Sequence, residues 1–588
     1  MVDGLKAISE RARSALRDWI VTDPDARPLR SSELKRYADR DILDGWRVWM
    51  PVNSRERGFD ILVPSTTPWA PVRVALSDPP SALTWPHVEE DGVLCLAPAA
   101  ATYDTTDPVA VARHLLGEGV RLVERIERGE LRGDFEAEFI SYWSRGQRKP
   151  DSFRILSLCD PRGPTRVVHS FFIRNGVVLA ESEEEIITWV SRWGGDPQRS
   201  AIGAAPFIQL AKLPSPGLFP SNLAMLAAMG GGTGAVAEVI ESAQIDIADQ
   251  AVVILGAPAI SGQALFGIHF PRWSIGRRPH KGATQAGFRP GSPQLLRARR
   301  TYSHSRPTVR VHVDRIDGEW IHGRGRDETS RRLSRKSAAF IGCGSLGSPA
   351  IEMLARAGVG RLLLVDPDQL DWSNLGRHVL GARSIGKNKA KEMANKLKSD
   401  LPHLHELNFE EIKIEDLLLR DPDALCRYDL IITTTGDWAG NSFLSDWHRA
   451  TTGAPPLLCA WSEPHALAGH ALLITDGVEL RDAFHWDGTP RFTVTAWSDE
   501  QSMREPACGV TYQPYGPIEI GRVAALAADL AVETLLSEHP CPTHRIWAST
   551  RSRIESAGGS CTAEWLALSI GPHTGGFAEM GWNYAQSA

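Results

Sequence analysis

Gly342, Gly344 and Gly347, then Asp366, then Asn374, Arg377 and Lys389 are residue types at a spacing suited to phosphate chemistry. The glycines follow one apolar run, and a second apolar run ends at Asp366. Glycines let the main chain approach a ligand closely, a helix N-terminus favours negative charge, and an acidic residue ending the next strand can bind a ribose hydroxyl. The pattern predicts a nucleotide site. On the glycines alone, a nicotinamide or flavin cofactor fits as well as ATP. Ser373, Asn374, Leu375, Arg377, Gly386 and Lys389 decide between them. A triphosphate needs such polar and cationic groups, and a dehydrogenase has no evident need for them beside its ribose. Arg and Lys neutralise phosphates and stabilise charge developing at the α-phosphorus under attack by a carboxylate. The expected chemistry is adenylation.

A strand, a glycine turn, a helix and a second strand must hold these groups. Ser348 and Pro349 are expected to supply the helix cap and first turn, and Gly358 closes the helix. Further on, the apolar run Leu430 to Ile432 leads into T-T-T-G-D-W, which carries Asp437. A helix around 439–450, a strand at 456–460 and a helix from about 517 to 536 continue the same domain.

Residues 338–389 resemble the adenylating domain shared by MoeB, ThiF and the ubiquitin-activating enzymes. That family's pattern is G-x-G-x-x-G-S, a strand ending in D-x-D, S-N-L-x-R, then G-x-x-K, and each piece stands here in order. The resemblance implies a Rossmann-like fold, with ATP and Mg2+ as cofactors. It places Asp366 on the ribose, Asn374, Arg377 and Lys389 on the phosphates, and Asp437 on magnesium. The family usually has D-x-x-D-N at the last position. Aligning its second aspartate on Asp437 puts Thr434 and Trp438 where its first aspartate and its asparagine stand. Relatives also carry an arginine N-terminal to the glycine loop that reaches the nucleotide of a partner subunit. Arg324 and Arg326, in W-I-H-G-R-G-R-D, are the candidates and would make the protein a homodimer. Ubiquitin-activating enzymes place a thioester cysteine in P-x-C-T just before a helix. Cys508, in E-P-A-C-G, stands there with Gly509 in place of threonine.

A second stretch, T-W-P-H-V-E-E-D-G-V-L-C-L at 84–96, resembles the loop of ubiquitin-conjugating enzymes, H-P-N followed at fixed distance by G-x-hydrophobic-C-L. Cys95 then becomes the candidate thioester nucleophile; the alternative is a small buried apolar side chain. His87 replaces the asparagine that stabilises the oxyanion of aminolysis in that family. An imidazole N–H can donate to an oxyanion, but its charge depends on pH as an amide's does not. Glu89, Glu90 and Asp91 lie close by in sequence, so the loop has to turn their charge away from the sulfur.

The 588 residues are too many for one core. A multi-domain α/β chain is expected, with an α+β ubiquitin-conjugating-like domain at 1–148, a mixed α/β linker domain at 149–315 and a ThiF/MoeB-type adenylation domain at 316–588. Within the first, a helix over 5–20, a strand meander and helices at 108–128 and 134–145 are predicted. Gly230 to Gly234 and the Pro- and Arg-rich 274–300 read as connectors. The net charge of −6 offers no reason to expect nucleic acid or an anionic membrane as a partner. No apolar stretch has signal-peptide or membrane-spanning length, so a cytoplasmic protein is expected. The eight cysteines include no Cys-x-x-Cys pair, against a disulfide scaffold or structural zinc and away from zinc-bearing cofactor-biosynthesis relatives.

The order of the modules, conjugating first and activating last, resembles the fused enzymes of bacterial CBASS anti-phage operons. That resemblance implies relay of a partner protein's C-terminal carboxylate through Cys508 and Cys95 to a target lysine amine. The implied partner is a cGAS/DncV-like nucleotidyltransferase or a ubiquitin-like protein. A sulfur-carrier adenylyltransferase, a conjugation enzyme of another bacterial ubiquitin-like operon, a nicotinamide oxidoreductase and a non-catalytic scaffold remain as alternatives.

Overall fold

The computed structural model describes residues 2–96, 103–143, 145, 153–222, 225, 226, 229, 239, 250–260, 262–271, 308–324, 327–475, 477–498, 503, 504, 511, 512, 514–568 and 575–581. Cys508, Arg326, the Gly230 to Gly234 turn and the 274–300 stretch lie outside them. Two compact units form, one of Met1–Glu183 with Ser200–Asp314, the other of Glu184–Arg199 with Arg315–Ala588.

The first unit opens with the helix Val2–Ile20 and an antiparallel sheet in the order β1 (Arg27–Pro28), β2 (Ile42–Val52), β3 (Arg55–Pro64), β4 (Arg73–Leu76). Strand side chains alternate between faces. Phe59, Ile61 and Val63 therefore share one face, which packs with Leu16 and Ile20 and with Ala112, Leu116 and Val123 of the helix Pro108–Glu127. That helix starts where Asp107 accepts the Ala110 N–H at 2.9 Å and Pro108 takes the first turn.

The helix expected over 134–145 is instead two short ones, Asp134–Ala137 and Phe139–Trp143. The chain leaves helical geometry at Glu138 (φ −108°, ψ 22°). The second of them is anchored by Phe139 and Trp143, which pack on Phe266 and other core side chains of the next sheet. Trp143 Nε1 also donates to Gly267 O at 3.1 Å.

That next sheet is mixed and eight-stranded, built from β5 (Arg154–Ser157), β6 (Arg166–Ile173), β7 (Gly176–Ala180), β8 (Gly203–Gln209), β9 (Ala251–Ala259), β10 (Gly262–Phe270), β11 (Val309–Val311) and β12 (Val313–Arg315). Its spatial order is β11-β10-β9-β8-β6-β7-β5-β12.

In the second unit, β13 (Ser337–Ile341), β14 (Arg361–Val365), β15 (Glu406–Glu410), β16 (Leu430–Thr433), β17 (Leu457–Ser462) and β18 (Ala468–Ile474) precede two ribbons. One ribbon pairs β19 (Thr495–Ala496) with β23 (Ser560–Cys561), the other β20 (Met503–Arg504) with β21 (Thr511–Tyr512). With β22 (Thr543–Ala548) and β24 (Gly576–Gly581), the main sheet runs β15-β14-β13-β16-β17-β18-β22-β24. It is parallel from β15 to β17 and antiparallel beyond. Its central parallel strands are almost wholly apolar, as strands covered on both faces require. The long helix Pro517–Leu536 lies in the same core, burying Ile520, Val523, Ala527 and Leu530. Among the described residues, no helix is long and apolar enough to cross a membrane.

Candidate functional site

Parallel strands bring their carboxyl ends to one edge, where open α/β sheets bind ligands. Here β13, β14 and β16 are followed directly by Gly342, Asp366 and Thr434. Gly342 has φ 94°, a conformation glycine adopts without a steric cost. Its N–H donates to Val365 O at 2.9 Å and its carbonyl accepts the Thr434 hydroxyl at 2.8 Å. Thr434 thus ties the glycine loop to the neighbouring strand. The helix Gly347–Ala357 follows and closes at Gly358 in the left-handed region (φ 103°). Its N-cap is Leu346, and Ser348, expected to cap it, is buried with its hydroxyl accepting the Val379 N–H at 3.3 Å. The expected cap is therefore corrected: the helix starts two residues earlier, at Gly347, which packs closely against the loop.

A cavity of about 580 Å3 opens at this edge, lined by Gly342 and Gly344 of the loop, by Asp366, Asn374, Arg377 and Lys389, and by Asp437. Gly347 lies beneath the loop, and Arg324, which ends the helix Gly318–Gly323 with φ 49°, does not line the cavity. The Asp366 carboxylate is 5 % exposed and accepts the N–H groups of Cys343 (2.6 Å) and Asp368 (2.8 Å). Burial pushes its pKa up against those two bonds and the charge of Lys389. Each oxygen keeps a further lone pair for a hydroxyl donor. The buried Lys389 bonds the exposed Asp368 through Nζ, at 3.1 Å.

Arg377 Nη2 donates to Ser373 O at 3.2 Å, and the guanidinium lies 4.6 Å from the centre of the Tyr515 ring. Among the described residues its buried Nε has no hydrogen-bond partner. Buried donors are normally satisfied, so an orphaned guanidinium N–H at a cavity wall points to an anionic ligand. A Cβ added at Gly344 would meet nothing within 4 Å among the described residues, so the loop leaves its cradle open for phosphate. Both observations fit a nucleoside triphosphate.

Asp437 caps the helix Trp438–Ala450, accepting from Ala439 (3.1 Å) and Gly440 (3.3 Å). Glu415 is its carboxylate neighbour: a Cβ built on Gly440 would stand 3.2 Å from Asp437 Oδ2 and 3.5 Å from Glu415 Oε1. Among the described residues no group of three or more His, Cys, Asp or Glu side chains could hold a metal. One or two carboxylates suit Mg2+ that keeps its remaining coordination for water and substrate phosphates.

Supporting side chains went unread in the sequence. Asn388 Nδ2 donates to Asp366 O at 2.8 Å while its Oδ1 caps the helix Lys389–Asp400. His378 Nε2 donates to Cys343 O at 2.6 Å and its Nδ1 accepts the Leu380 N–H at 3.0 Å, so the proton sits on Nε2. Burial lowers its pKa. Tyr515 holds the Ser345 hydroxyl at 2.8 Å and stacks on Arg377, a contact between residues far apart in the chain that no local motif announces.

In the first unit Cys95 is exposed, at the edge of a cavity of about 400 Å3 that Thr66, Arg73 and Tyr103 also line. Its N–H donates to His87 O at 2.9 Å, and Val88 bridges Leu94, so the loop folds back and brings residues 87 and 95 together. Arg40 binds both Glu89 and Asp91, which answers the question of where their charge goes. His87 Nε2 bonds Asp134 Oδ2 at 2.8 Å and Nδ1 stands 3.5 Å from Glu138 Oε2. The nearby Cys95 side chain and the two carboxylates outweigh burial and push the His87 pKa up to about 9.

The ThiF family matches residues 322–451 and the prokaryotic E2 family B matches residues 20–151. The ATP-dependent ubiquitin transferase-like protein Cap2 of Pseudomonas aeruginosa (strain BWHPSA011 / Pa011) is 25% identical over 466 residues, covering 76% of this chain and 79% of that protein. The protein of the same name from Escherichia coli (strain TW11681) is 30% identical over 240 residues, 38% of this chain and 39% of that one. Among solved structures, E. coli MccB with MccA-N7isoASN aligns at 15% identity with a TM-score of 0.30, covering 38% of this chain and 63% of that chain. A relative aligned over three quarters of the chain spans more than either family segment alone. The chain is a fused enzyme that joins a prokaryotic E2-like domain to a ThiF-type domain in one polypeptide, and it resembles the Cap2 proteins.

Proposed function

We propose that this enzyme conjugates proteins at the expense of ATP, in a cytoplasmic setting and as a homodimer. A partner protein's C-terminal carboxylate attacks the α-phosphorus of ATP; an acyl adenylate forms and pyrophosphate leaves. The carboxylate alone is inert to amines because its leaving group is poor, and adenylation supplies a good one. Cys508 then captures the acyl group as a thioester, Cys95 receives it by exchange, and a target lysine amine takes it as an amide. Dividing one hard step into easier ones is covalent catalysis. Asp366 would hold the ribose, and Asn374, Arg377 and Lys389 the phosphates, over the backbone of Gly342, Gly344 and Gly347. Mg2+, held at Asp437, would supply charge neutralisation of the phosphates. Arg324 or Arg326 would reach the nucleotide of the second protomer. By its module order the partner is a cGAS/DncV-like nucleotidyltransferase, as in CBASS operons, and neither nucleic acid nor membrane takes part.

The observation that carries this reading is the orphaned Arg377 Nε beside an open glycine cradle. The test is the intact mass of Cys95→Ser protein purified after expression with its neighbouring genes, because a serine oxyester hydrolyses more slowly than a thioester. An added mass is expected, absent when Cys508→Ala or Asp437→Ala is combined with it. A Cys508-dependent adduct on otherwise wild-type protein, with none on Cys95→Ser, would instead make the N-terminal domain a binding module.

A further inference from the structure

Asp134, Glu138 and Tyr142 recur every four residues, and the structure turns all three toward one residue, His87. His87 has φ 58°, in the left-handed region that side chains other than glycine seldom occupy. Its backbone is clamped on both sides. The His87 N–H donates to Tyr142 Oη at 2.9 Å, its carbonyl accepts the Cys95 N–H at 2.9 Å, and the Tyr142 hydroxyl donates to Glu138 Oε2 at 2.9 Å. Tyr142 is in turn buried, next to Trp143 in the core. The strained turn is thus held by the 134–143 segment.

We propose that Asp134 is a positioning residue for acyl transfer at Cys95: it binds His87 Nε2 and so leaves Nδ1 to donate a hydrogen bond to the sulfur, with Glu138 and Tyr142 fixing the same geometry. This rests on the reading of Cys95 as the thioester-bearing residue. In the transfer, the amine nitrogen bonds to the acyl carbon and the carbon–sulfur bond breaks with its electron pair going to sulfur. The Nδ1 proton passes to that sulfur, and the proton shed by the amine nitrogen restores the ring. The net change is thioester plus amine to amide plus thiol.

A ring that donates from both nitrogens is an imidazolium. The groups facing it are the Cys95 sulfur, the Asp134 and Glu138 carboxylates and the Tyr142 hydroxyl; Arg145, 5.5 Å from the Tyr142 ring centre, is the cation on the same segment. With a folded-state pKa of about 9, the ring's pairing with both carboxylates is complete below the ordinary imidazole range and is lost as pH rises through about 9. A neutral imidazole has one donor, so the proton for the sulfur disappears over the same interval.

The experiment uses the full-length chain carrying the Cys95-linked adduct that forms on expression with the neighbouring genes, chased with free L-lysine. Discharge rates of wild type, Asp134→Asn and Asp134→Glu are each divided by that of His87→Asn at the same pH, so lysine ionisation cancels. For wild type the ratio is expected to be level at neutral pH and to fall through about 9. Asp134→Asn is expected to load normally, to discharge roughly tenfold more slowly at neutral pH and to lose its advantage at lower pH, with Asp134→Glu restoring part of the rate. The His87 13Cε1 resonance is expected to titrate at lower pH in Asp134→Asn, in step with the fall of its discharge ratio, a match that a purely structural role for Asp134 would not produce. Normal loading with wild-type discharge and an unmoved His87 titration in Asp134→Asn overturns this proposal alone. A ratio that rises with pH overturns it in favour of His87 as the amine's base. A wild-type chain that never loads Cys95 overturns the relay reading, and this proposal with it.

Discussion

Arg377→Ala is expected to lower ATP–pyrophosphate exchange, measured with the natural partner's C-terminal peptide, by about 100- to 1,000-fold. Such a loss is what removing one preorganised donor from a transition-state charge produces. The size follows from how little else satisfies this guanidinium. One Nη bonds the Ser373 carbonyl, the plane rests on Tyr515, and Nε is buried with no partner among the described residues, so these donors are aimed before any ligand arrives. Charge that develops on the α-phosphorus meets a group that needs no reorganisation, and the effect should fall on kcat more than on KM for ATP. Arg377→Lys should recover little of it, because a lysine is a point charge without the planar fork and stacks poorly on an aromatic face. Exchange within threefold of wild type in Arg377→Ala would remove Arg377 from the reaction and shift the burden to Lys389, whose Nζ now rests on an exposed carboxylate that a phosphate can displace.

What sequence alone reveals of this site divides by distance along the chain. From Gly342 to Lys389 the loop, strand and cationic groups recur within about fifty residues, and local spacing suffices because each feature acts through its own backbone conformation. Tyr515 meets that stretch only through the fold, and nothing near it in the sequence signals the contact. Ser348 looked like a cap because serine usually is one; the loop packs so tightly on Gly347 that the hydroxyl is drawn inside instead. The segment 134–143 shows the same limit from the other side. A helix is expected there from the sequence, but the break at Glu138 and the pairing of Asp134 with His87, 47 residues away, belong to tertiary structure. Periodicity reports which face of an element is apolar and is blind to which polar groups will meet across the fold.

Two alanines separate the steric from the ligand-binding role of the glycine loop. At Gly347 a Cβ would stand 2.1 Å from Gly342 O, 3.0 Å from Gly342 C and 2.6 Å from Thr434 Oγ1. The first two are backbone atoms, and Gly342 is held on both sides by Val365 and Thr434, so the loop cannot swing aside without breaking those bonds. Alanine in place of glycine favours a helix by about 1 kcal/mol, whereas overpacking a fixed backbone costs roughly 1–3 kcal/mol or more. The clash should win, and Gly347→Ala is expected to lower the unfolding temperature of the ThiF-type unit by roughly 2–4 °C and to abolish nucleotide binding. Gly344→Ala meets nothing within 4 Å, so without nucleotide its melting curve should match wild type. Its methyl would occupy the cradle where phosphate is expected, so the rise in melting temperature that ATP confers on wild type should vanish. Unchanged melting in Gly347→Ala would mean that the loop is looser than its two anchoring bonds imply. An undiminished ATP shift in Gly344→Ala would move the phosphates off this loop, and the adenylation site with them.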